Sequence, residues 1–149
     1  TEYLIYEKEE ELHPMSHEPV NSPWGEIQCY RTICPGVYSV VTASHGGIMA
    51  RREVANRIFS KAARRCSVLE KGWYCFEEDC AAAVAIRELI DWGLIVPPVN
   101  EYWKAGEYER SIDKSVQRYH LDYWNARVQD QQKKRPDRSL ENRNRGEAR

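Results

Sequence analysis

His45 is the side chain in this sequence best placed for chemistry: it follows Ser44 and precedes Gly46-Gly47-Ile48 at the end of a strand-like run, Gly36 to Ser44. An imidazole titrates near neutral pH, so it can act as general acid, general base or metal ligand. Two adjacent glycines free the backbone beside it, either to turn tightly or to let a ligand or another chain segment come close. Glu78 and Asp79, in the acidic run Glu77-Glu78-Asp79, are the carboxylates that could orient such an imidazole. A Ser44–His45 nucleophile–base pair is disfavoured, because adjacent residues on a strand point to opposite faces. Cys80 closes the acidic run and would gain thiolate character at a helix N-terminus. It also opens an alanine-rich apolar segment, which favours an inert, buried thiol. The competing reading of His45 is a hydrogen-bonded residue that pins a glycine corner.

A second group of residues carries charge. Arg51, Arg52, Arg57, Lys61, Arg64 and Arg65 lie in one stretch and could form a cationic helix face. With Trp24, Tyr30 and Trp73 as stacking surfaces, this sketches a nucleic-acid binder. The formal net charge of −1 argues for a solvated face instead. The candidate binding set is therefore His45, Gly46 and Gly47 with those six cations. Trp92, Trp103 and Trp124 are either partner-binding anchors or core, depending on what covers them.

Five cysteines, an odd number, cannot all pair within one chain. Cys29/Cys34 and Cys75/Cys80 are both C-x4-C pairs, a possible four-cysteine zinc set, but structural zinc knuckles use tighter spacing. His13 and His17 are four apart with Pro14 between them, which spoils a helical metal pair. No phosphate loop, dinucleotide fingerprint or zinc-protease motif is present. No metal or cofactor is expected. Without a secretory h-region or an apolar run long enough for a bilayer, a reduced, cytoplasmic protein is expected.

The elements that must position these residues follow from periodicity. Tyr3 to Tyr6 reads as a short strand, and His13 to Pro23, with three prolines, as a loop. Glu26 to Ile33 and Val37 to Thr42, separated by Pro35-Gly36, read as an antiparallel hairpin whose second strand ends at the glycines after Ser44. Val54, Ile58 and Ala62 share one face of a helix over Arg52 to Arg65. Lys71-Gly72 turns the chain before the strand Trp73 to Phe76. Cys80 to Trp92 reads as a helix buried against the sheet, capped by Asp79 and stopped by Gly93. Tyr108, Ile112, Val116, Tyr119, Tyr123 and Ala126 form one stripe along a single helix from Glu107 to about Gln132. That stripe should dock on the body or on a second copy of the chain, giving a homodimer.

The expected architecture is α+β: a small antiparallel sheet packed by two helices, plus a long C-terminal amphipathic helix and a disordered basic tail. Residues 1–21 form an N-terminal strand and loop, 22–99 the compact domain, 100–135 the long helix and 136–149 the tail.

Four segments occur in order: Ser22-Pro23-Trp24-Gly25; Pro35-Gly36 leading to Ser44-His45-Gly46-Gly47-Ile48; Gly72-Trp73-Tyr74; and Glu77-Glu78-Asp79-Cys80 followed by alanines. Together they resemble a small uncharacterised domain of phage, plasmid and conjugative-element proteins, over Ser22 to Trp92. The chain departs from that pattern in placing Cys75-Phe76 between the Trp-Tyr pair and the acidic run. The resemblance implies context more than chemistry. Mobile-element proteins of this kind act on host defence systems, CRISPR nucleases included, by binding a protein or ribonucleoprotein surface. The expectation is thus a binding protein of the anti-CRISPR type, an inhibitor serving host-defence evasion. The rivals are a small hydrolase or nuclease using His45 with Asp79 or Glu78, and a nucleic-acid-binding module using the Arg51–Arg65 helix.

Overall fold

The computed structural model describes residues 18–134. The expected strand at Tyr3 to Tyr6 and the expected tail over residues 136–149 lie outside the described residues. Seven strands and five helices follow in order: β1 (Asn21–Ser22), β2 (Gly25–Glu26), β3 (Cys29–Cys34), β4 (Val37–Val41), β5 (Gly46–Arg51), α1 (Arg52–Ile58), α2 (Lys61–Arg65), β6 (Val68–Glu70), β7 (Trp73–Glu77), α3 (Ala82–Asp91), α4 (Glu107–Tyr119) and α5 (Leu121–Lys134). β1 and β2 pair as a minimal hairpin. The other five strands form an antiparallel sheet in the order β3-β4-β5-β7-β6. The α+β class, the small antiparallel sheet and the C-terminal helical segment are all present.

Local chemistry explains the strand pairs. Gly36, at φ +84°, turns β3 into β4, and a Cβ there would stand 2.6 Å from Val54 Cγ2. Lys71 and Gly72 have φ of 50° and 85°, the two positive values that a tight two-residue hairpin between β6 and β7 requires. Alternation then assigns the faces. Val37, Ile48, Ala50 and Phe76 point to one side, where they pack with Val84, Leu89, Val116 and Tyr123 from the helices. Tyr38, Val40, Met49 and Cys75 point to the other, where Trp24, Ile27 and Trp73 cover them. Full burial of such side chains contributes about 1.5–3 kcal/mol each.

Gly46 and Gly47 do not end a strand. They open β5, the central strand, opposite Val41 and Val40 of β4, while Gly47 also pairs with Glu77 of β7. The turn comes earlier, over Thr42 to His45. The glycines are needed for close approach: a Cβ on Gly46 would lie 2.5 Å from the Val40 carbonyl oxygen, and one on Gly47 would lie 2.2 Å from the Phe76 carbonyl oxygen and 2.6 Å from the Trp24 ring. Both are buried, so neither offers a backbone surface to a ligand.

Two expected helices are broken. The Arg52–Arg65 span divides at Phe59-Ser60, where the Ser60 hydroxyl accepts from the Ala63 N–H and caps α2 and the Ser60 N–H donates to Glu88 Oε1 at 2.7 Å. The span from Glu107 divides at His120, whose φ of −139° and ψ of 52° leave the helical region. Val116 and Tyr123 are buried, so the stripe docks on the body, while Tyr119, the last residue of α4, is 62% exposed. α3 starts at Ala82 with no side-chain cap, so Asp79 does not cap it. Its end matches expectation. Gly93 N–H donates to the Ile90 carbonyl at 2.9 Å and Leu94 N–H to the Leu89 carbonyl at 2.8 Å, the paired bonds of a Schellman stop.

Candidate functional site

The corner around His45 is built from three chain segments. The Thr42–His45 turn is held by Thr42, whose N–H donates to the His45 carbonyl at 2.9 Å and whose hydroxyl donates to the same oxygen and accepts from the His45 N–H at 3.1 Å. The Ser44 hydroxyl donates to the Trp24 carbonyl at 3.3 Å, tying the turn to the β1–β2 hairpin. The acidic run is brought alongside by β5–β7 pairing, extended by the Glu78 N–H, which donates to the Gly46 carbonyl at 3.0 Å. A one-residue register slip would move every side chain of β7 to the other face, so this juxtaposition depends on the sheet register.

His45 Nδ1 lies 4.0 Å from Glu77 Oε1, with both side chains about half exposed. One ligand atom each from His45, Glu78 and Asp79 lies within 4.8 Å of the others. An imidazole with two carboxylates is a donor set suited to a divalent cation that accepts oxygen and nitrogen ligands. Sequence reading named all three residues. Their proximity depends on the β5–β7 pairing, which no local pattern reports.

Cys80 departs from expectation: it lies in the turn before α3, it is exposed, and its Sγ is 3.6 Å from His120 Nε2. His120 was not singled out from sequence; a lone histidine inside a helical stripe carries no local signal. The four-cysteine zinc set does not assemble. Cys34 belongs to the helical side of the sheet and Cys75 to the opposite side. Burial, with Glu70 second, pushes the Cys75 thiol up to about 12. Burial is likewise the main cause that raises Cys66.

The cationic candidates separate as well. Arg52, Arg57, Lys61 and Arg65 are exposed on α1 and α2. Arg64 is held by Asn56 Oδ1 at 2.7 Å, and Arg51 lies over the Trp73 ring at 5.6 Å. Trp24 and Trp73 cover the opposite side of the sheet, and Tyr38 meets Tyr30 and Trp73 edge-on at ring-centroid distances of 5.7 and 5.9 Å. The aromatic residues are thus packed in a second layer, away from the cationic helices. Trp124 packs on the helical core, Trp103 stacks edge-on against Tyr108 at 5.3 Å, and Trp92 remains 59% exposed.

A buried polar network was also missed. Arg87, 6% exposed, and Glu88, 9% exposed, sit on α3 beneath α4 and α5. Arg87 pairs with Asp113 at 2.9 Å and Asp91 at 3.2 Å, and Arg127 reaches Asp91 through two nitrogens at 2.9 and 3.0 Å. Glu88 accepts from the Tyr123 hydroxyl at 2.9 Å. Burial first, and then Glu88, raises the Tyr123 phenol above its ordinary range. The only available signal was three charged residues, Arg87, Glu88 and Asp91, in an otherwise apolar helix.

Fold and corner together define a small α+β domain with helices on one face of its sheet, a tryptophan-bearing hairpin on the other, and an exposed imidazole–carboxylate corner. The chain belongs to the family described as Domain of unknown function (DUF7007), which matches residues 17–149. That match takes in α4 and α5, beyond the Ser22–Trp92 span of the motif resemblance. Comparison with curated proteins and with solved structures finds no match. No helix among the described residues is long and apolar enough to cross a membrane.

Proposed function

We propose that this chain is a mobile-element-encoded binding protein that inhibits a bacterial defence effector, a CRISPR nuclease complex first among them, through protein–protein contact. The observation that carries the reading is the segment after α3. There Trp92, Val96, Val99 and Tyr102 are 59%, 77%, 67% and 80% exposed. Large aromatic and aliphatic side chains left in water along one segment are the usual anchors of a protein interface. The exposed cations Arg52, Arg57, Lys61 and Arg65 of α1 and α2 add positive charge suited to an acidic protein surface or a guide-RNA backbone. The motif resemblance supplies the mobile-element context. The test is co-purification from the native host with the wild-type chain and with Trp92→Ala/Tyr102→Ala. Loss of an interface hot spot costs about 2 kcal/mol or more, so the double variant should weaken capture at least about tenfold. Recovery of no defence effector, or equal recovery with the variant, sinks the proposal.

The corner favours a second reading, a small hydrolase or nuclease in which His45 acts with Glu78 and Asp79 around a divalent cation. The convergence of those three donor atoms supports it. Calorimetric titration with Mn2+ and Zn2+ should show saturable binding that His45→Ala abolishes. Binding unchanged by that substitution removes this reading.

A further inference from the structure

We infer that Cys80 and His120 form a nucleophile–base pair, a thiol site for activated acyl groups. The two side chains come from segments 40 residues apart and meet with Sγ 3.6 Å from Nε2. That is the contact by which an imidazole takes a proton from a thiol. Cys80 differs from the other cysteines in this respect. Cys34 and Cys75 are buried and Cys66 is half-buried, with its Sγ donating to the Ala62 carbonyl at 3.5 Å. Cys29 is exposed, as Cys80 is, but among the described residues it has no recorded contact with an imidazole.

The position of His120 is a departure from regular structure. The spacing of Tyr119 and Tyr123 would continue one helix, yet the backbone leaves helical angles at His120 and resumes at once. The His120 N–H closes α4 on the Val116 carbonyl at 2.8 Å, and its own carbonyl accepts from Trp124 N–H at 3.0 Å. The imidazole at this break lies beside the cysteine of Glu-Glu-Asp-Cys. The neighbouring carboxylates Glu77, Glu78 and Asp79 disfavour an anionic substrate, so the class that fits is a neutral or cationic ester or thioester.

The chemistry balances within the pair. His120 Nε2 accepts the Sγ proton, and the thiolate attacks the carbonyl carbon to form an S–C bond. The C–O or C–S bond to the leaving group then breaks, and the leaving group takes the proton back from the imidazolium. Water deprotonated by His120 subsequently hydrolyses the acyl-Cys80 thioester. This releases the carboxylic acid and restores the thiol.

The test uses the full chain and p-nitrophenyl acetate near neutral pH, with acetylation read at each cysteine by peptide mass spectrometry. Cys80 should be acetylated at least about tenfold faster than Cys29 and than free N-acetylcysteine, a lower bound set below the roughly 10²–10⁴-fold that a positioned general base contributes. His120→Gln should bring Cys80 down to the rate of Cys29. Equal rates at Cys80 and Cys29 in the wild-type chain overturn the proposal whether or not the variant folds. So does a folded His120→Gln chain that keeps the wild-type rate at Cys80.

Discussion

The underside of α3 and the corner at the end of β7 use the same kinds of side chain to opposite ends. Beneath α4 and α5, Arg87 and Glu88 are 6% and 9% exposed and are held by Asp91, Asp113 and Tyr123. At the corner, His45, Glu78 and Asp79 are all exposed, and their ligand atoms converge without a bond that locks them together. A buried charge must be paired because desolvation is costly, so the first group is structural by necessity. An exposed group carries no such constraint and stays available to a ligand. Residue type alone therefore does not separate scaffold from site; burial does.

This contrast can be broken most forcefully at Arg87. Arg87→Ala should cost about 3–5 kcal/mol by urea denaturation, near the lower end because Asp91 and Asp113 retain some contact with water. A loss below about 1 kcal/mol would place Arg87 with the dispensable charges and remove the distinction. Gly47→Ala comes next, at about 1–3 kcal/mol, because the new methyl meets backbone on one side and Trp24 on the other. It should also disturb the His45 turn, visible as altered tryptophan fluorescence; an unperturbed spectrum and midpoint would show that the hairpin does not seat on Gly47. Tyr123→Phe should cost about 1.5 kcal/mol by deleting a hydrogen bond to a buried carboxylate.

An effect of comparable size, but confined to alkaline pH, follows at Cys75. Because the Cys75 thiol is pushed up to about 12, the folded chain holds that proton through a range in which the unfolded chain releases it. Its contribution is complete below the ordinary thiol range and is lost as pH rises toward about 12. The melting temperature should therefore fall between about pH 8.5 and pH 11, and less steeply in Cys75→Ala. An identical slope in the two chains would assign the fall to other groups. The smallest stability change is expected at His45→Ala, within about 0.5 kcal/mol, as for surface sites without a buried partner. A loss above 1.5 kcal/mol in thermal unfolding would make His45 a structural corner and merge it with the α3 network.

Much of the scaffold was legible because its signals are local. Pro35-Gly36 and Lys71-Gly72 mark turns through backbone angles that few other residues adopt. The β-branched and aromatic run Val37–Val41 marks a strand and the Val54/Ile58 spacing a helix face without reference to the rest of the chain. The glycine stop after α3 was equally readable. Gly46-Gly47 was misread as a turn, since paired glycines serve a tight bend and a tight strand contact equally well. Only the neighbours Val40, Phe76 and Trp24 show which applies.

By itself, then, the sequence determined the α+β class, the β3–β4 hairpin, the Lys71-Gly72 turn, the glycine stop of α3 and the identity of the corner's histidine and carboxylates, since each depends on residues a few positions apart. Tertiary structure alone decided that Glu77–Asp79 lie beside His45, that Cys80 faces His120, and that Arg87 and Glu88, themselves buried, have partners. These contacts join segments some 25–40 residues apart. They are set by strand register and helix docking, which depend on the summed packing of two sheet faces and leave no periodic trace at the residues concerned.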